Sequence, residues 1–471
     1  MKLFLFLLLV SSHSFAVFQQ LYQGYLKSNV IESLNMEFDM SKVSFEYSKD
    51  KNDWELQLGT DYSDSFLQSL FSFQSNQTIT NTYSVGFLKN SFKYGSFALT
   101  HKKVDYDLSN WSSSGFNNFS ADKVHEVKNT VSYNYDFLKK PLTNEWDVIH
   151  TQKQVDDINT KVVLEKDSLN FFKSYLNTKL KVVLNRQYKE FEKRAKKRIR
   201  LVRKRVKDGL SRSVELDQSE LSLLGQQETI LKNQTLMKEN IFLLEDIIGY
   251  KIPEPLYINI KWKYQQKNKF PIAFQEGKFL EIDQLKKSNH LKTLNLERIK
   301  IESGHSLKMN LGYTKNSVNE KYSDAFNDSL GGGNNDEKVA SLIYSVPFGG
   351  DKRSASYKRL KLQQKKGQMD LKNFMSHNKV QKVILKHHID SYESAIELGN
   401  KKLRIAKRSI RKTNDLYLRG QVSFEELLRS EETLLNAEIS LVNQLALYEE
   451  ALADLAYMNG HISQFLTGYT D

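Results

Sequence analysis

The sequence predicts a mainly α-helical chain that also carries a transmembrane β-barrel, built as two internal repeats of a strand pair followed by a long coiled-coil helical hairpin. Three observations point there: two long stretches free of proline, a repeat at an offset of 211 residues, and alternating strands ahead of prolines.

The five prolines are Pro141, Pro253, Pro255, Pro271 and Pro347, which leaves residues 142–252 and 348–471 without a helix breaker of that kind. Both stretches are rich in Leu, Lys, Glu, Gln and Arg, the good helix formers. Apolar residues recur at three- and four-residue steps, as in Leu216, Leu223, Leu224, Ile230 and Leu231, and again in Leu427, Leu428, Leu434, Leu435, Leu441 and Val442. A spacing near seven favours coiled-coil packing.

Shifted by 211 residues, Gly209 falls on Gly420, Ser219-Glu220 on Ser430-Glu431, Leu223-Leu224 on Leu434-Leu435, Leu244 on Leu455, and Gly249 on Gly460. A register kept over a whole segment marks two copies of one unit. Each unit then runs strand pair, proline corner, long helix, glycine turn and returning helix. At 1.5 Å per residue, the helix before each turn spans roughly 100 Å.

Ahead of each proline the period changes to two. Val131, Tyr133, Tyr135 and Phe137 alternate with polar residues, and Ala340, Leu342, Tyr344 and Val346 alternate with Ser341, Ile343 and Ser345. Partner strands put Leu307, Met309, Leu311 and Tyr313 on one face, and Val104, Tyr106 and Leu108 on one face. A half-buried soluble sheet has the same alternation; the export signal described next and the tyrosine-rich faces favour a barrel with lipid on one side and a lumen on the other. The further strand-like pieces 54–62 and 81–87 have no counterpart in the second half, and fit an extra hairpin or an external cap.

Residues 1–16 combine Lys2, an apolar run from Leu3 to Val10, and Ser14 and Ala16 where a signal peptidase reads, so they form a cleaved export signal. No later stretch approaches the ~20 consecutive apolar residues of a membrane helix. An exported membrane protein is then a β-barrel, the other structure that satisfies every backbone group in lipid. The mature chain divides into a first repeat, 17–252, with strands over about 54–137 and a hairpin over 141–249. A linker, 253–275, holds three prolines and the run Ile258, Ile260, Trp262, Tyr264, strapped across the helices. The second repeat, 276–460, has strands over about 305–347 and a hairpin over 350–460, and a tail, 461–471, closes the chain.

Composition excludes several classes of function. With no cysteine among 471 residues, thiolate metal sites, cysteine nucleophiles and redox motifs are absent. No HExxH or GxSxG occurs. PFGGDKRS lacks the spacing of a phosphate loop, and His387 and His388, adjacent on a helix, point about 100° apart and suit a solvated face better than one metal ion. Net charge is +13, and the basic run 189–207 invites a nucleic-acid reading. A similar run precedes the second turn, and acids follow each glycine: Glu215, Asp217 and Glu220, then Glu425, Glu426, Glu431 and Glu432. A hairpin folded at each glycine lays basic arm against acidic arm, so pairing between its helices is the better reading and no nucleic-acid partner is expected. No cofactor, metal or catalytic residue is assigned.

The segment 416–460, with Tyr417, Gly420, Ser423, the pair Leu427-Leu428 and the closing Gly460, resembles the C-terminal hairpin of TolC-like outer-membrane efflux proteins. YSVPFGGDKRSASYKRLKLQQ (344–364) and NYDFLKKPLTNEWDVIHTQ (134–152) resemble that family's two exits from barrel to helix, with corners at Pro141, Pro347, Gly349 and Gly350. The resemblance implies a homotrimeric α/β channel tunnel whose barrel takes four strands from each of three chains, seated in outer-membrane lipid of a Gram-negative cell with its helical tunnel in the periplasm. It also implies a passive exit duct for small molecules or proteins, partnered by a periplasmic adaptor (a membrane fusion protein) and an inner-membrane transporter, proton-driven or ATP-driven. The alternative is a soluble periplasmic coiled-coil scaffold.

The same resemblance places adaptor docking at the turns, around Gly209, Leu210, Gly420, Gln421 and Ser423. It places the entrance near Tyr417, Arg419, Glu426 and Arg429. Glu426 stands six residues past Gly420 where the family often has an acid; Arg429, nine past it, departs from that pattern. Glu215 stands six past Gly209, so Tyr417 and Arg419 bridging to Glu215 or Glu426 is the expected gate.

Overall fold

A computed structural model describes residues 17–50, 53–66, 77–91, 94–107, 123–138, 141–258, 262, 264–302, 304–331, 335–346 and 351–469. The export signal, Leu108, Ile260 and the corner residues Pro347, Gly349 and Gly350 lie outside the described residues. In chain order the elements are α1 (Val17–Tyr25), α2 (Asn29–Asp50), β1 (Trp54–Phe66), β2 (Gln77–Ser91), β3 (Gly95–Asp107) and β4 (Lys123–Asp136). The first hairpin follows as α3 (Pro141–Lys207) and α4 (Ser213–Ile248), then α5 (Glu254–Ile258), a 3-10 turn, α6 (Pro271–Phe274) and α7 (Leu280–Glu302). The second half holds β5 (Ser306–Asn319), α8 (Tyr322–Gly331), β6 (Asp336–Ser345), α9 (Asp351–Leu418), α10 (Phe424–Met458) and α11 (Ile462–Gly468). Among the described residues no helix is long and apolar enough to cross a membrane.

The chain separates into two compact units: Met40–Val155 with Lys286–Met369, which holds the sheet, and the remainder, which is helical. In the sheet unit six strands pair antiparallel in the order β1-β2-β3-β4-β5-β6. Residues opposite one another in a ladder share a face. The registers therefore carry one row across all six strands that is apolar except for Lys89, namely Trp54, Lys89, Phe97, Tyr133, Leu311 and Ala340, with the row Leu56, Phe87, Leu99, Val131 and Tyr313, ending at Lys338, beside it. On the other face the corresponding row is Gln57, Gly86, Thr100, Thr130, Thr314 and Glu337. Over these central rows one side is mainly aliphatic and aromatic, the other mainly hydroxyl and carboxyl.

The registers revise two expectations. Val104 and Tyr106 do share a face, but it is that of Thr100 and Thr130, where Val104 lies opposite Glu126. The Tyr106 hydroxyl donates to Glu126 at 2.7 Å. The pieces at 54–62 and 81–87 form the expected extra hairpin, β1 with β2, and it is part of the sheet, since β2 pairs with β3 from Ser91↔Gly95 to Ile79↔Asp107. Among the described residues this chain supplies six strands where the resemblance implies four. Helix α8 had no sequence signal; it lies on the apolar-row side at the far end of the sheet, with Phe326 edge-on to His101 and Ser329 accepting from Asn129. Its small residues Ala325 and Ser329 are buried and permit that close approach.

In the helical unit, α3 and α4 meet at Gly209 and α9 and α10 at Gly420. Gly209, Gly249, Gly420 and Gly460 have φ of 72°, 79°, 71° and 74°. These are the four glycines aligned by the repeat, and the left-handed region they occupy is open mainly to a residue without Cβ. At Gly460 a close approach adds to this, since a Cβ there would lie 2.3 Å from the Lys278 carbonyl oxygen. The core is an aromatic cluster joining the two chain ends: Phe18 of α1 packs edge-on against Tyr469 at 4.8 Å and Phe172 of α3 at 5.5 Å. The C-terminal segment packs into this core, with Ile462, Phe465 and Leu466 buried. The linker is a strap of short helical turns, held where Trp262 donates to Glu449 at 2.7 Å and Tyr264 to Glu393 at 3.0 Å. Beneath it lies the fully buried Lys179, whose ammonium donates to the Tyr469 hydroxyl at 2.8 Å, stands 3.6 Å from Glu449 and sits over the Trp262 ring. A buried ammonium persists because a carboxylate and ring faces replace its water.

Candidate functional site

Both interhelical turns close by the same backbone device. The Leu210 N–H donates to the Arg205 carbonyl at 2.8 Å, and the Gln421 N–H to the Leu416 carbonyl at 2.9 Å, each bridging a left-handed glycine. This is a Schellman closure, which satisfies carbonyls left over at a helix C-terminus. The helices that follow start differently. Ser423 caps α10 by accepting from the Glu426 N–H at 3.2 Å, whereas Arg212 at the start of α4 makes no side-chain cap.

The two turns are held together by one residue that sequence reasoning missed, Arg205. Its guanidinium donates to the carbonyls of Tyr417 at 2.8 Å and Leu418 at 3.0 Å, to the Leu210 carbonyl at 3.3 Å, and to the Ser211 hydroxyl at 3.1 Å. The same group lies 4.8 Å from the Tyr417 ring centre. A cation at the ends of α3 and α9 interacts favourably with both helix dipoles. The Tyr417 hydroxyl in turn donates to Glu215 at 3.1 Å. Tyr417 is buried among Val202, Ile410, Phe424 and Leu427, and burial, with the Glu215 charge, pushes its phenol above the ordinary value.

Of the expected gate residues, the structure brings Tyr417 and Glu215 together across the two hairpins. Arg419, Glu426 and Arg429 are exposed, and among the described residues none has a side-chain ion pair. Arg419 therefore does not bridge to Glu215 or Glu426 within the chain. Of the expected docking residues, Gly209, Leu210, Gly420, Gln421 and Ser423 are all exposed at the turns.

The charge pairing matches expectation in part. Among the described residues, Arg203 with Glu220, at 2.9 Å, joins the arms of the first hairpin as expected. The buried Arg198 instead pairs with Glu431, and Arg194 with Glu438 at 3.2 Å, so α3 binds α10 of the other hairpin. The reason is heptad geometry: Glu431 and Glu438, seven apart, lie on the face that α10 turns towards α3. In the second hairpin no described ion pair joins Lys401–Lys412 to the acids after Gly420; Lys401 pairs with Glu397 on its own helix at 2.9 Å. Lys402, Arg404, Lys407, Arg408 and Arg411 remain exposed.

No protein-family model matches the sequence, and no curated protein matches it. Solved structures do match in fold over nearly the whole chain. The outer membrane protein VceC of Vibrio cholerae has a TM-score of 0.68 at 11% identity, covering 96% of this chain and 97% of its own. The CmeC outer membrane channel of Campylobacter jejuni has 0.68 at 10%, covering 95% and 86%. The open state of the Neisseria gonorrhoeae MtrE outer membrane channel has 0.67 at 12%, covering 96% and 94%. This chain shares their fold, a helical hairpin pair with an antiparallel sheet.

Proposed function

We propose that the protein is an outer-membrane channel tunnel, the passive exit duct of a tripartite efflux or type I secretion system, acting as a homotrimer with a periplasmic adaptor and an inner-membrane transporter. The observation that carries the reading is the two-faced sheet, apolar on one side and hydroxyl-lined on the other, in a chain whose fold matches outer membrane channels throughout. The apolar face is exposed, with Leu56, Tyr83 and Leu342 open to solvent, which suits lipid and not a soluble sandwich.

Association of copies is supported by two exposed heptad stripes in the helical unit. Val214, Leu221, Leu224 and Leu231 run along α4, and Leu398 and Ile405 along α9. Exposed Asp217, Glu228 and Glu239 accompany the first stripe and the free lysines and arginines of α9 the second, so α4 of one copy is complementary to α9 of the next. In this assembly the Arg205, Tyr417 and Glu215 cluster recurs three times around the entrance and holds the turns closed.

Fractionation tests the membrane reading: the protein should leave outer membranes only with detergent, and release with the soluble periplasm would favour a scaffold instead. Within the sheet, Val131→Arg should impair insertion by about 2 to 4 kcal/mol, whereas Thr130→Arg on the opposite face should be tolerated. Equal damage from both would remove the barrel. For the gate, Arg205→Ser combined with Tyr417→Phe should raise single-channel conductance in planar bilayers with the trimer intact; an unchanged conductance would reduce the cluster to a structural contact.

A further inference from the structure

We propose that three copies of this chain close a barrel of eighteen strands, six from each, with β1 of one copy pairing antiparallel with β6 of the next. The proposal rests on the trimeric channel reading and departs from the four strands per chain that the resemblance implies.

The edges make the argument. Among the described residues β1 and β6 end the sheet, each paired along one side. They are long, 13 and 10 residues. Within lipid an open edge leaves backbone N–H and C=O groups without partners and is not viable. Among the described strands β1 and β6 do not pair with each other, and six strands fall below the smallest transmembrane barrels, which have eight. The free edges therefore need further copies.

The geometry suits a head-to-tail seam. Strand order is sequential and every pairing antiparallel, so with six strands β1 and β6 run in opposite directions. Joining β1 to a neighbour's β6 continues the antiparallel order, and each copy offers one of each edge, so the ring closes with identical seams. Faces match as well. The registers place Leu56 and Leu58 of β1 on the same side of the sheet as Ala340 and Leu342 of β6, with Gln57 and Ser341 on the other.

The β1–β2 hairpin belongs to this wall. β2 pairs with β3 over thirteen residue pairs, as a continuous strand does. At about 3.3 Å per residue, the apolar positions of β1 from Trp54 to Tyr62 rise roughly 26 Å, the height of an outer-membrane apolar band. Leu58, in the middle of that run, is 72% exposed. Barrel diameter grows about linearly with strand number, so eighteen strands give a pore about one and a half times as wide as twelve. The wall then passes cargo that a twelve-stranded exit excludes.

The absence of native cysteine makes the seam directly testable. Leu58→Cys is combined in turn with Ala340→Cys, Leu342→Cys and Tyr344→Cys in the full-length chain, and outer membranes are oxidised with copper phenanthroline. At least one register should give covalent dimers and trimers on a non-reducing gel. A comparison pair, Leu99→Cys with Leu342→Cys, should give none. Cross-linked trimers from that pair, or a trimer with no β1-to-β6 bond in any register, would overturn the eighteen-stranded barrel and leave the trimeric channel standing. A chain that stays monomeric in the membrane would overturn both. Symmetry-averaged electron microscopy of the unmodified protein checks the count without substitutions, eighteen strands being expected and twelve fatal.

Discussion

The two interhelical turns share a backbone and differ in what their side chains do. Gly209 and Gly420 have φ within a degree of each other, and both are bridged by the same five-residue backbone bond. Yet the first turn contributes Arg205, whose counterpart 211 residues on is Leu416, and the second contributes Tyr417, whose counterpart is Val206. Arg205 and Tyr417 then meet each other. Duplication preserved the conformation that glycine permits, while divergence divided one contact between the copies, so neither hairpin can supply it alone.

The sharpest test separates bonds between the hairpins from bonds within one. Glu431→Ala leaves Arg198 charged and buried, and should destabilise the helical unit by about 3 to 5 kcal/mol in denaturant titrations followed by circular dichroism. Burial already pulls the Arg198 guanidinium down to about 10. Glu220→Ala, which frees the exposed Arg203, should cost less than ~1 kcal/mol. Similar losses would mean that the hairpins are not joined through α3 and α10.

Next comes the shared backbone. Gly209→Ala and Gly420→Ala should each cost about 1 to 2 kcal/mol, because a Cβ is strained at positive φ. The two costs should agree, since a Cβ at Gly209 meets nothing within 4 Å and one at Gly420 only Arg205 at 3.9 Å. A much larger loss at Gly420 would show that crowding, not conformation, selects glycine there. Under the proposed channel function, Gly420→Val should abolish export in cells while the proposed trimer persists on native gels.

The smallest effect concerns the caps. Ser423→Ala removes the side-chain acceptor at the start of α10 and should cost about 1 kcal/mol. Arg212→Ala, at the uncapped start of α4, should stay within about 0.5 kcal/mol. A reversal would mean that Arg212 stabilises the first turn through contacts that the second lacks.

What could be read from the residues was whatever repeats locally. Left-handed glycines, alternating strands and heptads are each set by the chain within a turn or two, so Gly209, Gly420, Tyr133 and Leu434 were legible. The partnership of Tyr417 with Glu215 was legible because both stand at fixed offsets from their glycines. Arg205 was not, since nothing in a run of fifteen basic and apolar residues marks which guanidinium turns inward. The misplaced Val104 and Tyr106 show a second limit: alternation reveals two faces, but only the pairing register decides which of them is polar. Likewise, basic and acidic arms adjacent in sequence suggested pairing within a hairpin, which Arg203 and Glu220 make, while the packed positions of Glu431 and Glu438 direct the buried pairs to the other one.

The aromatic cluster that joins α1 to the C-terminal segment carries a consequence for how the protein is made. Gln19 donates to the carbonyl of Tyr469 at 2.8 Å, across 450 residues of chain. Contacts so distant in sequence form late, because closing so large a loop costs entropy before any packing is gained. Phe18 and Tyr25 can meet Phe172 and Phe171 of α3 earlier, since those contacts span far less chain. Until α11 arrives, the cluster still lacks Phe465, Leu466 and Tyr469, and the helical unit cannot complete its core. Losing α11 would therefore leave the α1 side of the core open as well.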